Sequence, residues 1–309
     1  MITPASLTSG VVEMLGGLAF SPLLVGLIQL WKARLQGRRG PSPLQPYRDL
    51  RRLWRKGVVD VADTTAVYRI APAVIAASTV GAVALVPASG AAPSIGLGHD
   101  FIVLAGLLAL GRFAAALSTW DVANGFSLMG ASRDLTISVF AEVAMLLALA
   151  VPAAVSGTSD LAVMVARTAG GSVWSSPSLA LAVAAYSLVV LAETGRQPFD
   201  NPDTHLELTM IHEGALLEYA GRDLAYMQWS AAARHWVLLV LAAQLFLPHP
   251  GDVWAQLGLL PFELVLLCAG LAITETLVAK MRILIAPRLL GLAAAAAVLG
   301  VATRGAGLK

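Results

Sequence analysis

An all-α polytopic membrane protein is the fold class this sequence predicts, and three observations predict it. The 309-residue chain is 57% hydrophobic and 13% charged, against roughly 25% charged in an ordinary soluble domain. Its mean hydropathy is +0.75. Its apolar residues gather into runs close to the ~20 residues that cross a bilayer, with polar stretches between them. The expected architecture is a single integral membrane domain over residues 1–309, with about eight transmembrane helices plus a cytoplasmic amphipathic helix. Cytoplasmic loops are expected at about 31–66 and 195–231.

In chain order the spans are predicted near Val11–Leu30, Val67–Val86, Phe101–Trp120, Leu135–Ser156, Ser178–Glu193, Ala232–Leu247, Trp254–Ala279 and Ile283–Ala302. The first carries Glu13. No basic region precedes it and nine basic residues follow, which reads as a retained span and not a cleaved signal peptide.

Those nine, from Lys32 to Lys56, include Arg48, Arg51, Arg52 and Arg55 in the run RDLRRLWRKG. They suit a positive-inside anchor on anionic lipid or a docking surface for a cytoplasmic partner. Placing this loop in the cytoplasm puts 18 of the 21 Lys and Arg on one side, leaving Arg167, Arg304 and Lys309 for the other. Both termini then face outward, and the chain is expected to be multi-pass in a bacterial or archaeal inner membrane.

The stretch Leu191–Trp229 is polar in a greasy protein and reads as the working surface. Gly195, Pro198, Asn201 and Pro202 end the preceding helix, and Thr204 with Glu207 three residues on signals a capping box. A helix is predicted from about His205, with Gly221 as its C-terminal cap. The same pattern also fits a short helix lying on the membrane surface.

Chemistry-bearing residues are sparse. The lone Cys268 excludes an internal disulfide and a cysteine-ligated iron–sulfur cluster. His205 and His212 stand two turns apart, about 10 Å on a helix, too far to share a metal easily, and no metal site is expected. Ionisable residues inside spans are costly and read first as functional. Glu142, Glu193 and Glu275 qualify, with Arg69, Arg112 and Asp121 near inner ends; Glu263 lies towards the outside.

Four segments carry a family resemblance: GRRGPSPLQPYRDLRRLWRKG, ALSTWDVANGFSLMGASRDLTISVFAE, AETGRQPFDNPDTHLELTMIHEGALLEYAGRDLAYMQW and TETLVAKMRIL. Together they resemble the membrane-anchor subunit of energy-converting (group 4) [NiFe] hydrogenases, the formate hydrogenlyase subunit 4 family, which is similar to subunit 1 of respiratory complex I. The resemblance implies a noncatalytic subunit that docks the hydrogenase large and small subunits and leads to antiporter-like membrane subunits. The [NiFe] centre and iron–sulfur clusters would reside in those partners, with no cofactor in this chain.

Carried over by motif, Glu193 matches the acid of AET, Asp200 that of PFD, Glu218 that of EYxxG, and Glu142 the buried acid of the fourth span. With Glu207, Glu213 and Glu275 they form the expected proton path. Arg48, Arg51, Arg52, Arg55, Asp203, His205 and His212 form the expected docking face, and the expected partners are lipid and protein, with no nucleic acid. The first loop lacks the complex I GPNR-type motif, and His205 stands where complex I tends to carry a further acid, which favours the hydrogenase branch. A quinone-linked complex I-type subunit is the alternative. An independent ion transporter fits least, since no inverted repeat is evident.

Overall fold

The computed structural model describes residues 4–89, 95–168, 176–201, 211–250 and 252–305. Among them every regular element is helical. The helices are α1 (Pro4–Leu35), α2 (Gln45–Trp54), α3 (Ala66–Leu85), α4 (Asp100–Val122), α5 (Gly125–Ser156), α6 (Leu161–Thr168), α7 (Pro177–Glu193), α8 (Gly221–Phe246), α9 (Val253–Leu277) and α10 (Ala286–Gly305). Short 3-10 turns lie at His212–Leu216 and Ile283–Ile285.

Among the described residues, seven helices are long and apolar enough to cross a membrane: α1, α3, α4, α5, α8, α9 and the unit of α10 with its leading turn. The shorter apolar α7 accompanies them, completing the predicted set. The protein is a multi-pass membrane protein. Large apolar side chains such as Phe20, Phe113, Phe262 and Leu292 lie exposed, as lipid-facing groups do.

Polar caps set several boundaries. Thr65 Oγ1 accepts from Val67 N at the start of α3, and Asp121 at the end of α4 accepts from Thr65 N and Tyr68 N, so one helix end caps another. Asn124 Oδ1 accepts from Phe126 N, and with Ala123 in the left-handed region it reverses the chain between α4 and α5. Asp252 does the same capping for α9.

The core is built by α3 against α4 and α8, by α5 with α7 and α10, and by α1 against α8 and α9. Helix α8 is the central one, most of its length buried. Its Trp236 ring packs where a Cβ on Gly17 of α1 would sit, at 2.8 Å, so that glycine sets how closely the two helices approach.

The structure corrects three expectations. Helix α5 starts at Gly125, not near Leu135, and α8 at Gly221, not near Ala232, because each continues beyond the apolar run into polar residues. At 32 residues, about 48 Å, α5 outreaches the ~30 Å hydrocarbon core, so its first turns stand in the polar layer.

The third correction concerns the polar stretch. Residues 202–210, including the predicted helix start at His205, lie outside the described residues; beyond them the chain makes only the short turn at His212–Leu216. Gly221 opens α8 instead of closing a helix. Its φ is +59° and a Cβ there would lie 2.2 Å from the Gly57 carbonyl oxygen, so glycine is demanded by a close chain crossing. The short polar helix on this side is α2, in the basic loop.

Candidate functional site

Helix α7 ends at Glu193 because Gly195, φ +63°, turns the chain, with Arg196 N donating to Leu191 O. The turn leaves Glu193 facing the bundle and sends Arg196 inward toward α8 and α9. A Cβ on Gly195 would lie 2.8 Å from His212 Nδ1, so glycine also lets the imidazole pack against the turn.

Three groups of buried charge meet here. In the first, Arg112 of α4 pairs with Glu193 and stands 3.8 Å from Glu142 of α5. Arg112 and Glu193 are almost fully buried, while the Glu142 side chain keeps 30% exposure. Arg234 of α8 lies in the field of Arg112 as well as of Glu193, Asp134 and Glu142.

In the second, Glu275 of α9 takes Arg196 on one oxygen and Lys32 of α1 on the other, the latter at 3.0 Å. Arg196 Nε also donates to His235 Nε2 at 2.8 Å, so that ring nitrogen is an acceptor and the imidazole neutral there.

The third lies in the loops. Asp200 accepts from Lys280 Nζ at 2.8 Å and faces His212 Nδ1 at 3.4 Å, while His212 Nε2 faces Asp134 of α5 at 3.3 Å. Burial alone would raise the Asp200 carboxyl, but the bonds from His212 and Lys280 overcome it and hold the group at about 2. Burial would likewise lower His212, yet Asp134 and Asp200 outweigh it and raise the imidazole above its ordinary value.

Members of all three groups line one cavity of about 620 Å³, beneath the polar loop and beside α2. Its walls carry Lys32, Arg112, Arg196 and Arg234 against Asp134, Asp200 and Glu275. Carboxylates and cations thus alternate around one cavity, close enough to interact electrostatically.

Of the residues expected to form a proton path, Glu142, Glu193, Asp200 and Glu275 belong to these groups, and Glu213 lines the cavity. Glu218 stands apart, accepting from Asn124 Nδ2 at 2.7 Å. Its segment is tied to α3 by Tyr68 and Tyr219, stacked at 4.5 Å, with Tyr68 donating to Glu218 O and Tyr219 to Tyr68 O. Glu207, Asp203 and His205 lie outside the described residues.

Arg48, Arg51, Arg52 and Arg55 are carried on and just beyond α2, all four exposed. The helix is pinned beneath them by Tyr47, whose hydroxyl donates to Ala19 O, and by Trp54 edge-on to Tyr226 of α8. His212, also expected at the docking face, stands between the carboxylates of Asp134 and Asp200 with its side chain 24% exposed.

Sequence reasoning gathered the acids and missed most of their cations. Arg196, Arg234, Lys32 and Lys280 stand near span ends, where snorkelling to the interface is the ordinary reading. The available signal was the Arg234-His235 pair inside an apolar run. Asp134, one residue after Arg133, carried no signal.

Fold and site define a polytopic membrane subunit whose buried ion pairs converge beneath a polar loop. The chain belongs to the NADH dehydrogenase subunit 1 family: the family model described as NADH dehydrogenase matches residues 10–300. It is 34% identical over 232 residues to hydrogenase-4 component C of Escherichia coli (strain K12), covering 75% of this chain and 72% of that protein. With formate hydrogenlyase subunit 4 of the same strain it shares 31% identity over 281 residues, 88% of this chain and 90% of the relative. An NADH-quinone oxidoreductase subunit of Paraburkholderia xenovorans (strain LB400) is 26% identical over 260 residues, 78% of this chain and 72% of that one. The fold matches a chain of the membrane-bound sulfane sulfur reductase, an archaeal respiratory membrane complex, with a TM-score of 0.83 at 20% identity over 97% of this chain and 99% of the other.

Proposed function

We propose that this chain is the noncatalytic membrane subunit of an energy-converting hydrogenase complex, in a bacterial or archaeal inner membrane. It docks a soluble [NiFe] hydrogenase module and couples that module's redox reaction to proton or sodium translocation. The [NiFe] centre and iron–sulfur clusters belong to the large and small partner subunits, and antiporter-like membrane subunits complete the complex. The basic loops and α2 face the cytoplasm, and both termini face outward.

The observation that carries this reading is the cavity into which three sets of buried carboxylate–cation pairs converge. Glu142 adjoins the cavity without lining it: half-buried, it meets Arg112 of the wall at 3.8 Å while Glu193 holds that guanidinium closely. A change of charge above the cavity shifts which carboxylate is protonated, and a proton moves in response. The identity to hydrogenase-4 component C and formate hydrogenlyase subunit 4 supports the hydrogenase assignment.

The size of the cavity favours a second reading, a quinone-linked subunit, because 620 Å³ accommodates a ring-sized head group. Isolation of the complex through this chain in mild detergent separates the two. Hydrogen turnover with a nickel-containing partner supports the hydrogenase reading; quinone reduction without one overturns it.

A further inference from the structure

Glu263 belongs to none of the three charged groups. It lies ten residues into α9, about 15 Å from the start of that helix, and is buried at 4% exposure near the middle of a 25-residue span. Glu275 follows it by twelve residues, about 18 Å along the helix, too far for direct exchange.

Each acid of the charged seam on the spans has a cation: Glu142 and Glu193 have Arg112, and Glu275 has Arg196 and Lys32. Among the described residues no cation pairs with Glu263. Its hydrogen-bond partner is the Gln256 Nε2 amide at 3.4 Å, two turns earlier on the same face. Gln256 is itself fully buried, and its Oε1 has no partner among the described residues.

The buried face of α9 packs on α1. Cys268 lies against the Leu24 carbonyl and Glu275 against Lys32, so the shared register puts Glu263 level with about residue 20 of α1. A carboxylate without counter-charge cannot stay bare in such surroundings; it takes up a proton or a small cation. The carboxylate and the unpartnered amide oxygen are both hard oxygen ligands that suit either.

We propose that Glu263 and Gln256 form a second, membrane-embedded site for a hard monovalent cation, H⁺ or Na⁺, separate from the cavity network. With its amide turned so that Oε1 replaces Nε2 toward the carboxyl, Gln256 supplies an oxygen to the bound ion and Glu263 the charge. The site stands independently of the hydrogenase assignment, because ion occupancy there requires no particular redox partner.

The test uses the whole complex in native membranes, labelled with a fluorescent apolar carbodiimide that reacts with protonated carboxyl groups, followed by peptide mapping. Label is expected on Glu263, to fall as pH rises and to be lost in Glu263→Gln. Added NaCl at fixed pH lowers the label if the ion is Na⁺ and leaves it unchanged if the site is proton-only. Infrared difference titration supplies the arm that does not depend on reagent access: a titrating carboxyl band is present in the wild type, retained in Glu263→Asp and absent in Glu263→Gln. Gln preserves a hydrogen bond to Gln256, so a purely structural role leaves the variant abundant with no change in the titration. An infrared spectrum identical in wild type and Glu263→Gln overturns the site.

Discussion

Arg112 and Glu193, 81 positions apart in sequence, form a buried ion pair inside the bundle, and Glu142 stands 3.8 Å from the same guanidinium. One cation thus serves two acids of unequal burial. The buried partner holds Arg112 closely, and the other, Glu142, keeps 30% exposure.

That inequality separates two substitutions. Glu142→Gln leaves the Arg112–Glu193 pair intact, so abundance in the membrane should be unchanged while ion movement per redox turnover falls. Glu193→Gln strips the closest partner from a buried guanidinium, at about 3 to 5 kcal/mol, and abundance should drop several-fold on a western blot. The double change Arg112→Gln with Glu193→Gln should recover abundance without recovering coupling. Wild-type abundance for Glu193→Gln alone would show that Glu142 is a full substitute partner.

Docking is expected to depend on α2. Reversing Arg51, Arg52 and Arg55 to Glu alters exposed groups only, while Tyr47 and Trp54 keep the helix seated. The soluble partner should be released at moderate salt with this subunit retained in the membrane. A complex that survives intact identifies these arginines as lipid anchors.

The His212 clasp has a defined pH sense. Folding raises the imidazole above its ordinary 6.5, so its contribution is complete below pH 6.5 and is lost as pH rises through the raised value. Asp200 runs the other way, contributing above its ordinary 3.8 and losing that contribution only as pH falls toward 2. Amide exchange across residues 211–220, corrected for the intrinsic pH dependence of exchange, should quicken several-fold between about pH 6 and about pH 9, and His212→Gln should flatten the dependence. Corrected exchange that ignores pH in the wild type would remove the clasp.

Topology gives the fourth expectation. Reporters placed near Gly40 and after Lys309 should read cytoplasmic and external respectively, because 18 of the 21 basic residues fall on the first side. Both reporters on one side would require an even number of crossings between them.

The sequence by itself determined the membrane class, the spans and the acids, since bilayer thickness and the cost of buried charge act on local composition. Hydropathy located α3, α4, α7 and α9 to within a few residues. It placed the starts of α5 and α8 too late, because a helix that leaves the bilayer keeps its backbone bonds but loses its apolar signature. Gly221 was misread for a related reason: a glycine required by the Gly57 crossing looks, in one dimension, like a helix cap. Only the tertiary structure decided the pairing, bringing Arg112 to Glu193, Lys32 to Glu275 and Lys280 to Asp200 across 81, 243 and 80 positions. It also set His212 between two carboxylates and, among the described residues, left Glu263 without a cation. Charge partners are set by which helix faces pack together at which depth, and no spacing along the chain encodes that distance.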